Sequence, residues 1–487
     1  MTTIEFVDQT LRDGQQSLWG LKMRPYQAAD ALEHLDRAGY RVVDLTGPGM
    51  FTVLLRTFKD DPWAATDFLT QGLKSNVVRC GMRTISVIGF NHTPDSIIDL
   101  WIQTLIKHGV TSFWIYDCLY DMPTMYRLAK VIHDNGGVRS GGDVWLDRRA
   151  RRRLLRSAGQ GDGLLGGSAN DLRRGRGRRA QTRTRCNLAA GDPRRHRHDS
   201  LELHCHNTTG LAPLNYIEGI KAGFTILHTA SRPMANGPSL PSTEAMTTIV
   251  ESMGHSHGLD KSTFAPVAAN FEWAARDAGF EPSVPAEYDP RIYDHQLPGG
   301  MTGTLISQLQ QHGMADRFPA VLEEIPRVRQ ELASPIMATP FSQFVGIQAV
   351  LNVVTGERYK LIPDEVIRYA MGHYGPLIRD VDPTVMDKIL DSARAKEFQA
   401  WVRPQPSLGE IRAQFTPGIS DEELLMRFMT SDEEVDAMLA AGPIRTDPRR
   451  SENEIVRTIQ DLARGASEVT SLSIAQPGWS LNACKNH

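Results

Sequence analysis

Asp8-Gln-Thr-Leu-Arg-Asp-Gly-Gln-Gln-Ser17 follows directly on the apolar run of residues 4–7 and precedes a segment with helical spacing. A buried strand therefore hands a short charged loop to a helix. The loop holds a cation, Arg12, a metal-capable carboxylate, Asp13, and two amides, Gln15 and Gln16. In a parallel α/β barrel such a junction lies at the catalytic end. An Arg-Asp-Gly tripeptide alone also fits a strand-end turn in which Asp8 and Asp13 only cap the backbone, and it is the length of the string that makes it specific.

Working outward, the 487 residues leave room for one large barrel and a second domain of ordinary size. The formal charge of −3 gives no global pull toward nucleic acid or a membrane surface, and neither is expected as a partner. Five cysteines, Cys80, Cys118, Cys186, Cys205 and Cys484, lie scattered without CxxC spacing, which suits free thiols in a reducing compartment. No basic-then-apolar leader precedes the first strand, and no apolar run is long enough to span a bilayer, so a cytoplasmic protein is expected.

Residues 25–38 place Ala28, Ala31, Leu32, Leu35 and Ala38 at helical spacing, with Pro25 at the start and Gly39 at the end. Short β-branched or aromatic runs then predict strands at 41–46, 83–89 and 112–117, each followed by a helical pattern. Two more are predicted at 201–207 and 225–230, separated by a helix over 214–222. Six of the eight strands of a (β/α)8, or TIM, barrel are thus in hand.

The interval before residue 201 is long enough for the other two, strands five and six, but its composition is wrong for them. Residues 138–200 contain 17 Arg and 6 Asp, with no Lys and no Glu, so the modest net charge hides a strongly positive stretch in an acidic remainder. One reading is an inserted arginine-rich arm for a polyanion. The other, favoured here, is a segment shifted in reading frame: the alternating pattern resumes in register at residue 201, and aromatic residues interleaved for base stacking are absent. Either way strands five and six are expected to be disrupted or atypical.

Beyond about residue 290 helices follow one another without strands. Residues 318–332 and 341–354 form amphipathic and apolar patterns, and Ser420-Asp-Glu-Glu423 and Ser431-Asp-Glu-Glu434 read as N-caps with acids in the first turn. The organisation expected is a barrel domain over 1–290, an all-helical C-terminal domain over 291–445, and a tail over 446–487 with one short helix near residues 454–462.

His204 and His206 form the second chemical motif. Residues two apart on a strand face the same side, so both imidazoles point into one site. Together with Asp13 they make a candidate centre for a divalent cation such as Zn, Mn or Co, with positions open for a substrate carbonyl.

The first string, D-x-T-L-R-D-G-x-Q-S, resembles the signature of the metal-dependent barrel superfamily that includes 3-hydroxy-3-methylglutaryl-CoA lyase, isopropylmalate synthase and the carboxyltransferase parts of biotin enzymes. LHCHNTTGLA at 203–212, HQLPGGM at 295–301, LEEIPRVR at 322–329 and TPFSQFVGIQAVLNVVTGERY at 339–359 are similar to the carboxyltransferase branch, the α subunit of oxaloacetate decarboxylase and the B subunit of two-subunit pyruvate carboxylases. That resemblance implies transfer of CO2 between carboxybiotin and a 2-oxo acid, pyruvate or oxaloacetate. It makes Asp13, His204 and His206 metal ligands, and it gives Arg12, Gln16 and Arg83 to the substrate.

The resemblance also shows departures. The family's carboxylated lysine ligand has no counterpart, because no Lys occurs between Lys130 and Lys221. Its proton-shuttling threonine is replaced at Pro238, with Ser239 beside it, and Trp114 stands where the family usually carries Arg. No biotinyl-lysine motif and no glycine-rich ATP loop occurs, so biotin is expected on a separate biotin carboxyl carrier protein, charged by a biotin carboxylase subunit, in an assembly with a homo-oligomer of this chain. An acyl-CoA lyase or Claisen-type enzyme, and a catalytically impaired scaffold, remain the alternatives.

Overall fold

The computed structural model describes residues 2–85, 92–119, 121–137, 201–297, 305, 309, 313–377, 379–448, 471–476 and 479–484. Seven strands form one parallel sheet: β1 (Thr3–Asp8), β2 (Val42–Thr46), β3 (Val78–Arg83), β4 (Ser112–Tyr116), β5 (Glu202–Leu203), β6 (Ile226–Thr229) and β7 (Ser256–His257). Their order is β4-β3-β2-β1-β6-β5, with β7 pairing with the start of β1. Every residue of β2 and of β6 is buried, as expected of parallel strands covered on both faces. Pairs such as Phe6 with Leu227 and Val43 with Val78 set the register.

The sheet is curled. Four strand spacings separate β3 from β5 in this order, roughly 19 Å in a flat sheet. Yet Arg79 of β3 reaches Glu202 of β5 at 3.0 Å. Only a sheet rolled toward a barrel brings those side chains together, so the result is an α/β fold built on a parallel half-barrel. The described sheet ends in β4 and β5, and the arginine-rich residues 138–200 lie outside the described residues.

Helices cover the outside of the sheet for local reasons legible in sequence. Asp61, Asp121 and Ser242 accept backbone N–H groups at the starts of helices Pro62–Gly72, Met122–Asp134 and Thr243–Ser252. The segment read as one helix over 25–38 is a 3-10 turn, Pro25–Ala28, followed by the helix Ala29–Arg37, which buries Ala31, Leu32 and Leu35.

Two strand expectations need correction. The third strand is Val78–Arg83, not 83–89: Val78, Arg79, Cys80 and Met82 are its buried residues, whereas the β-branched run that suggested the later position has Arg83 at its head and residues 86–91 outside the described set. The strand expected over 201–207 is regular only at Glu202–Leu203, because His204 and the residues after it leave the ladder to build a site.

A second apolar cluster lies in the helical part. Val321, Ile325 and Val328 of helix Phe318–Glu331 pack with Phe344, Val345 and Ala349 of helix Phe341–Thr355 and with Val366 and Ile367. Gly356 closes the second of these helices in the left-handed conformation. Helices Asp421–Met429 and Asp432–Ala441 begin at the expected serine caps.

Residues 1–446 make one compact unit and 447–487 a second. The second contains an antiparallel pair, β8 (Ser471–Gln476) and β9 (Trp479–Cys484), where the sequence pattern predicts no strands, and the helix expected near 454–462 lies outside the described residues. Cys80, Cys118 and Cys205 are free thiols. Among the described residues no helix is long and apolar enough to cross a membrane.

Candidate active site

Beyond β1 the chain makes one wide helical turn, Thr10–Gly14, buried at every residue. Gly14 permits it, since a Cβ there would stand 2.9 Å from the Met234 carbonyl oxygen. The turn carries Asp13 against the residues that follow β5. The Asp13 Oδ2 lies 3.0 Å from His204 Nε2 and 3.6 Å from His206 Nε2, and the two imidazole nitrogens are 3.2 Å apart. Among the described residues this is the cluster of three such groups that could hold a metal ion.

The donor set fits a divalent cation. Bonds of about 2.1 Å meeting at right angles put donors about 3.0 Å apart, and tetrahedral bonds put them about 3.4 Å apart. The observed spacings straddle those values. His206 donates its Nδ1 proton to the Pro238 carbonyl, which leaves Nε2 with its lone pair toward Asp13. Burial drives His204 down to about 3, against the pull of Asp13, so its ring is neutral at physiological pH. Burial would raise the Asp13 carboxyl, but the Arg12 guanidinium and the two imidazoles outweigh it and hold the group well below the usual carboxylate range. One carboxylate oxygen and two imidazole nitrogens thus converge on a point, and Ser17 donates to the other Asp13 oxygen at 2.8 Å.

Arg12 lies beside this centre, 3.2 Å from Asp13 and donating to the Gln9 amide oxygen at 3.1 Å. Its guanidinium sits 5.1 Å from the Trp114 ring, which itself stacks on Tyr116. Gln16 is exposed, while its neighbour Gln15 is buried and ties the turn to the chain beyond by donating to the Leu11 carbonyl and accepting from the Met23 N–H. Arg83 ends β3. Thus Asp13, His204, His206 and Arg12 come together, while Gln16 and Arg83 stand outside that cluster of contacts. Ser239, the hydroxyl nearest the replaced threonine, is fully buried and donates to the Met234 carbonyl at 2.7 Å, so that proton is already engaged.

Sequence reasoning missed the layer beneath. Arg79, fully buried on β3, pairs with Asp44 of β2 and with Glu202 of β5, and Glu202 in turn meets His228 of β6 at 2.8 Å. Gln9 joins this network through Asp44 and His228. Four charged or titratable residues inside otherwise apolar strands were the available signal, because such residues are buried only when paired.

Residues 292–435 match the model of a conserved carboxylase domain. The pyruvate carboxylase B subunit of Methanocaldococcus jannaschii is 30% identical over 403 residues, covering 80% of this chain and 68% of that protein. The chain belongs to the family of pyruvate carboxylase B subunits. Another relative, the 2-oxoglutarate carboxylase large subunit of Hydrogenobacter thermophilus, is 27% identical over 81% of this chain and 61% of its own length. Among solved structures, the carboxyl transferase domain of Rhizobium etli pyruvate carboxylase with pyruvate and biocytin superposes with a TM-score of 0.72 at 20% identity, covering 99% of this chain and 84% of that one. That likeness is one of fold. The family assignment rests on the B-subunit relatives and explains why a helical carboxylase region follows the half-barrel.

Proposed function

We propose that this chain is the carboxyltransferase subunit of a biotin-dependent enzyme, moving a carboxyl group between carboxybiotin and the C3 carbon of a 2-oxo acid. The observation that carries the reading is the convergence of Asp13, His204 and His206 at the ends of β1 and β5, with the Arg12 cation beside them. Membership of the pyruvate carboxylase B-subunit family supports the reaction class.

In this reading Asp13, His204 and His206 hold a divalent cation. When bound, that cation supplies Lewis-acid stabilisation of the enolate form of the substrate. Arg12 receives the substrate carboxylate, a charge-assisted contact of the strong kind, and the exposed Gln16 amide and Arg83 complete the substrate's binding. In the carboxylating direction the C3–H bond and the N–CO2 bond of carboxybiotin break, the C3–CO2 bond forms, and the biotin nitrogen gains the proton that C3 gives up. Trp114 covers Arg12 with an aromatic face. The 2-oxoglutarate carboxylase among the relatives leads us to include 2-oxoglutarate among the candidate 2-oxo acids.

The half-barrel belongs, in this proposal, to an eight-stranded barrel over residues 1–290, with a helical domain over 291–445. Biotin arrives on a carrier protein charged by a biotin carboxylase subunit, and the assembly is a cytoplasmic homo-oligomer of this chain with those partners.

The test uses the full chain with Zn2+, Mn2+ or Co2+ and free biotin. Proton exchange at C3 of pyruvate or 2-oxoglutarate in heavy water, dependent on both metal and biotin, is expected. Cleavage of an acyl-CoA without biotin would replace this reading with the lyase, and a chain that binds metal but catalyses neither reaction would be a scaffold.

A further inference from the structure

We propose that His228 is a positioning residue: braced by Glu202, it accepts the Nδ1 proton of His204 and so turns the lone pair of His204 Nε2 toward the metal position. The proposal deepens the metal-site reading and rests on it.

The contacts decide the direction of each hydrogen bond. Glu202 is paired with the buried Arg79 guanidinium at 3.0 Å, and an ionised carboxylate can only accept. The proton in the 2.8 Å contact between Glu202 and His228 therefore sits on His228 Nε2. In a neutral ring that leaves Nδ1 as an acceptor. Gln9 agrees: Arg12 donates to its amide oxygen, so its amide nitrogen, which also donates to Asp44, is the atom facing His228 Nδ1, 3.0 Å away, and it shares that acceptor with His204. The remaining neighbour of His228 Nδ1 is His204 Nδ1 at 3.1 Å.

Coordination by His204 has a complementary demand. The ring faces Asp13 and His206 with Nε2, so a metal taken there requires the proton on Nδ1. His204 is 3% exposed, and a buried N–H without an acceptor is destabilising. His228 Nδ1 meets that demand. The geometry also separates this role from that of a fourth ligand, since His228 lies against the nitrogen of His204 that points away from Asp13. His228 is itself 4% exposed, and Arg79 at 3.5 Å and Glu202 hold its far edge, so the relay is anchored on three strands.

The experiment is a competition for Zn2+ between the full chain and a chromophoric chelator. His228→Phe keeps the volume and removes the acceptor. His228→Asn keeps an acceptor at the Nδ1 position toward His204. Folded His228→Phe is expected to bind Zn2+ about 10- to 100-fold more weakly than the parent, and His228→Asn to recover most of the loss. Equal affinity in folded His228→Phe, or equal losses in the two folded variants, would overturn the proposal and leave the metal site standing. If His228→Phe does not fold, nitrogen NMR of the unsubstituted protein with labelled histidine decides: a proton on His228 Nε2 and none on Nδ1 is expected, and a proton on Nδ1 overturns the relay. A parent chain that binds no Zn2+ would remove the metal reading itself, and this proposal with it.

Discussion

Arg79 on β3 and Glu202 on β5 meet at 3.0 Å across the inside of the curled sheet, and Arg79 also holds Asp44 on the neighbouring strand. Removing the guanidinium would strand two buried carboxylates. Arg79→Met is therefore expected to lower unfolding stability by about 3–5 kcal/mol, the range for breaking a buried ion pair by deleting one partner. Chemical denaturation monitored by circular dichroism measures it, and a loss under about 1 kcal/mol would show that the network does not brace the half-barrel.

Asp8, the last residue of β1, gives a pH dependence. Burial, with Asp44 and Glu244 adding repulsion, pushes its carboxyl from 3.8 up to about 7, against hydrogen bonds from Thr10. The unfolded chain releases this proton near 3.8, whereas the folded chain keeps it until about 7. The folded state thus binds the extra proton across that window, and stability falls as pH rises through it, by up to about 1.4 kcal/mol per pH unit. Asp8→Asn should remove this slope. A variant whose stability falls between pH 4 and pH 7 as steeply as the parent's would contradict the assignment.

The two halves of the candidate site differed in how far they could be read from sequence. Asp13, His204 and His206 were legible because each sits in a short motif at a strand end: a turn that follows β1, and a pair two residues apart that continues from β5. Arg79, Asp44, Glu202 and His228 were not, because a charged residue in a strand declares itself only when its partner is known. Here Arg79 and Glu202 lie 123 positions apart. The third strand was misplaced for a related reason: Ile85 and its β-branched neighbours carry more strand propensity than Val78, Cys80 and Met82, but the latter three are the buried residues that pair with the neighbouring strands.

Gly81 on β3 tests the wall beside Arg12. A Cβ at this position would stand 2.5 Å from the Trp114 indole, so Gly81→Ala must displace that ring and, with it, the aromatic cover of Arg12. Strain of about 1–3 kcal/mol is expected. The KM for the 2-oxo acid should rise several-fold while bound metal stays at the parent's level, since Trp114 is set against Arg12 and Tyr116. Steady-state exchange kinetics with metal analysis would check both, and loss of metal alongside the rise in KM would show that the two parts of the site are not separable.

Whether Asp13, His204 and His206 hold a divalent cation is tested by the metal content of the purified chain and of His204→Ala, measured by elemental mass spectrometry. One Zn, Mn or Co per parent chain is expected. The variant should lose it while its circular dichroism stays unchanged, because a ligand at the mouth of the half-barrel contributes to the site more than to the packed interior. Equal metal in the folded variant and the parent, or no metal in the parent after incubation with each cation, would contradict the account.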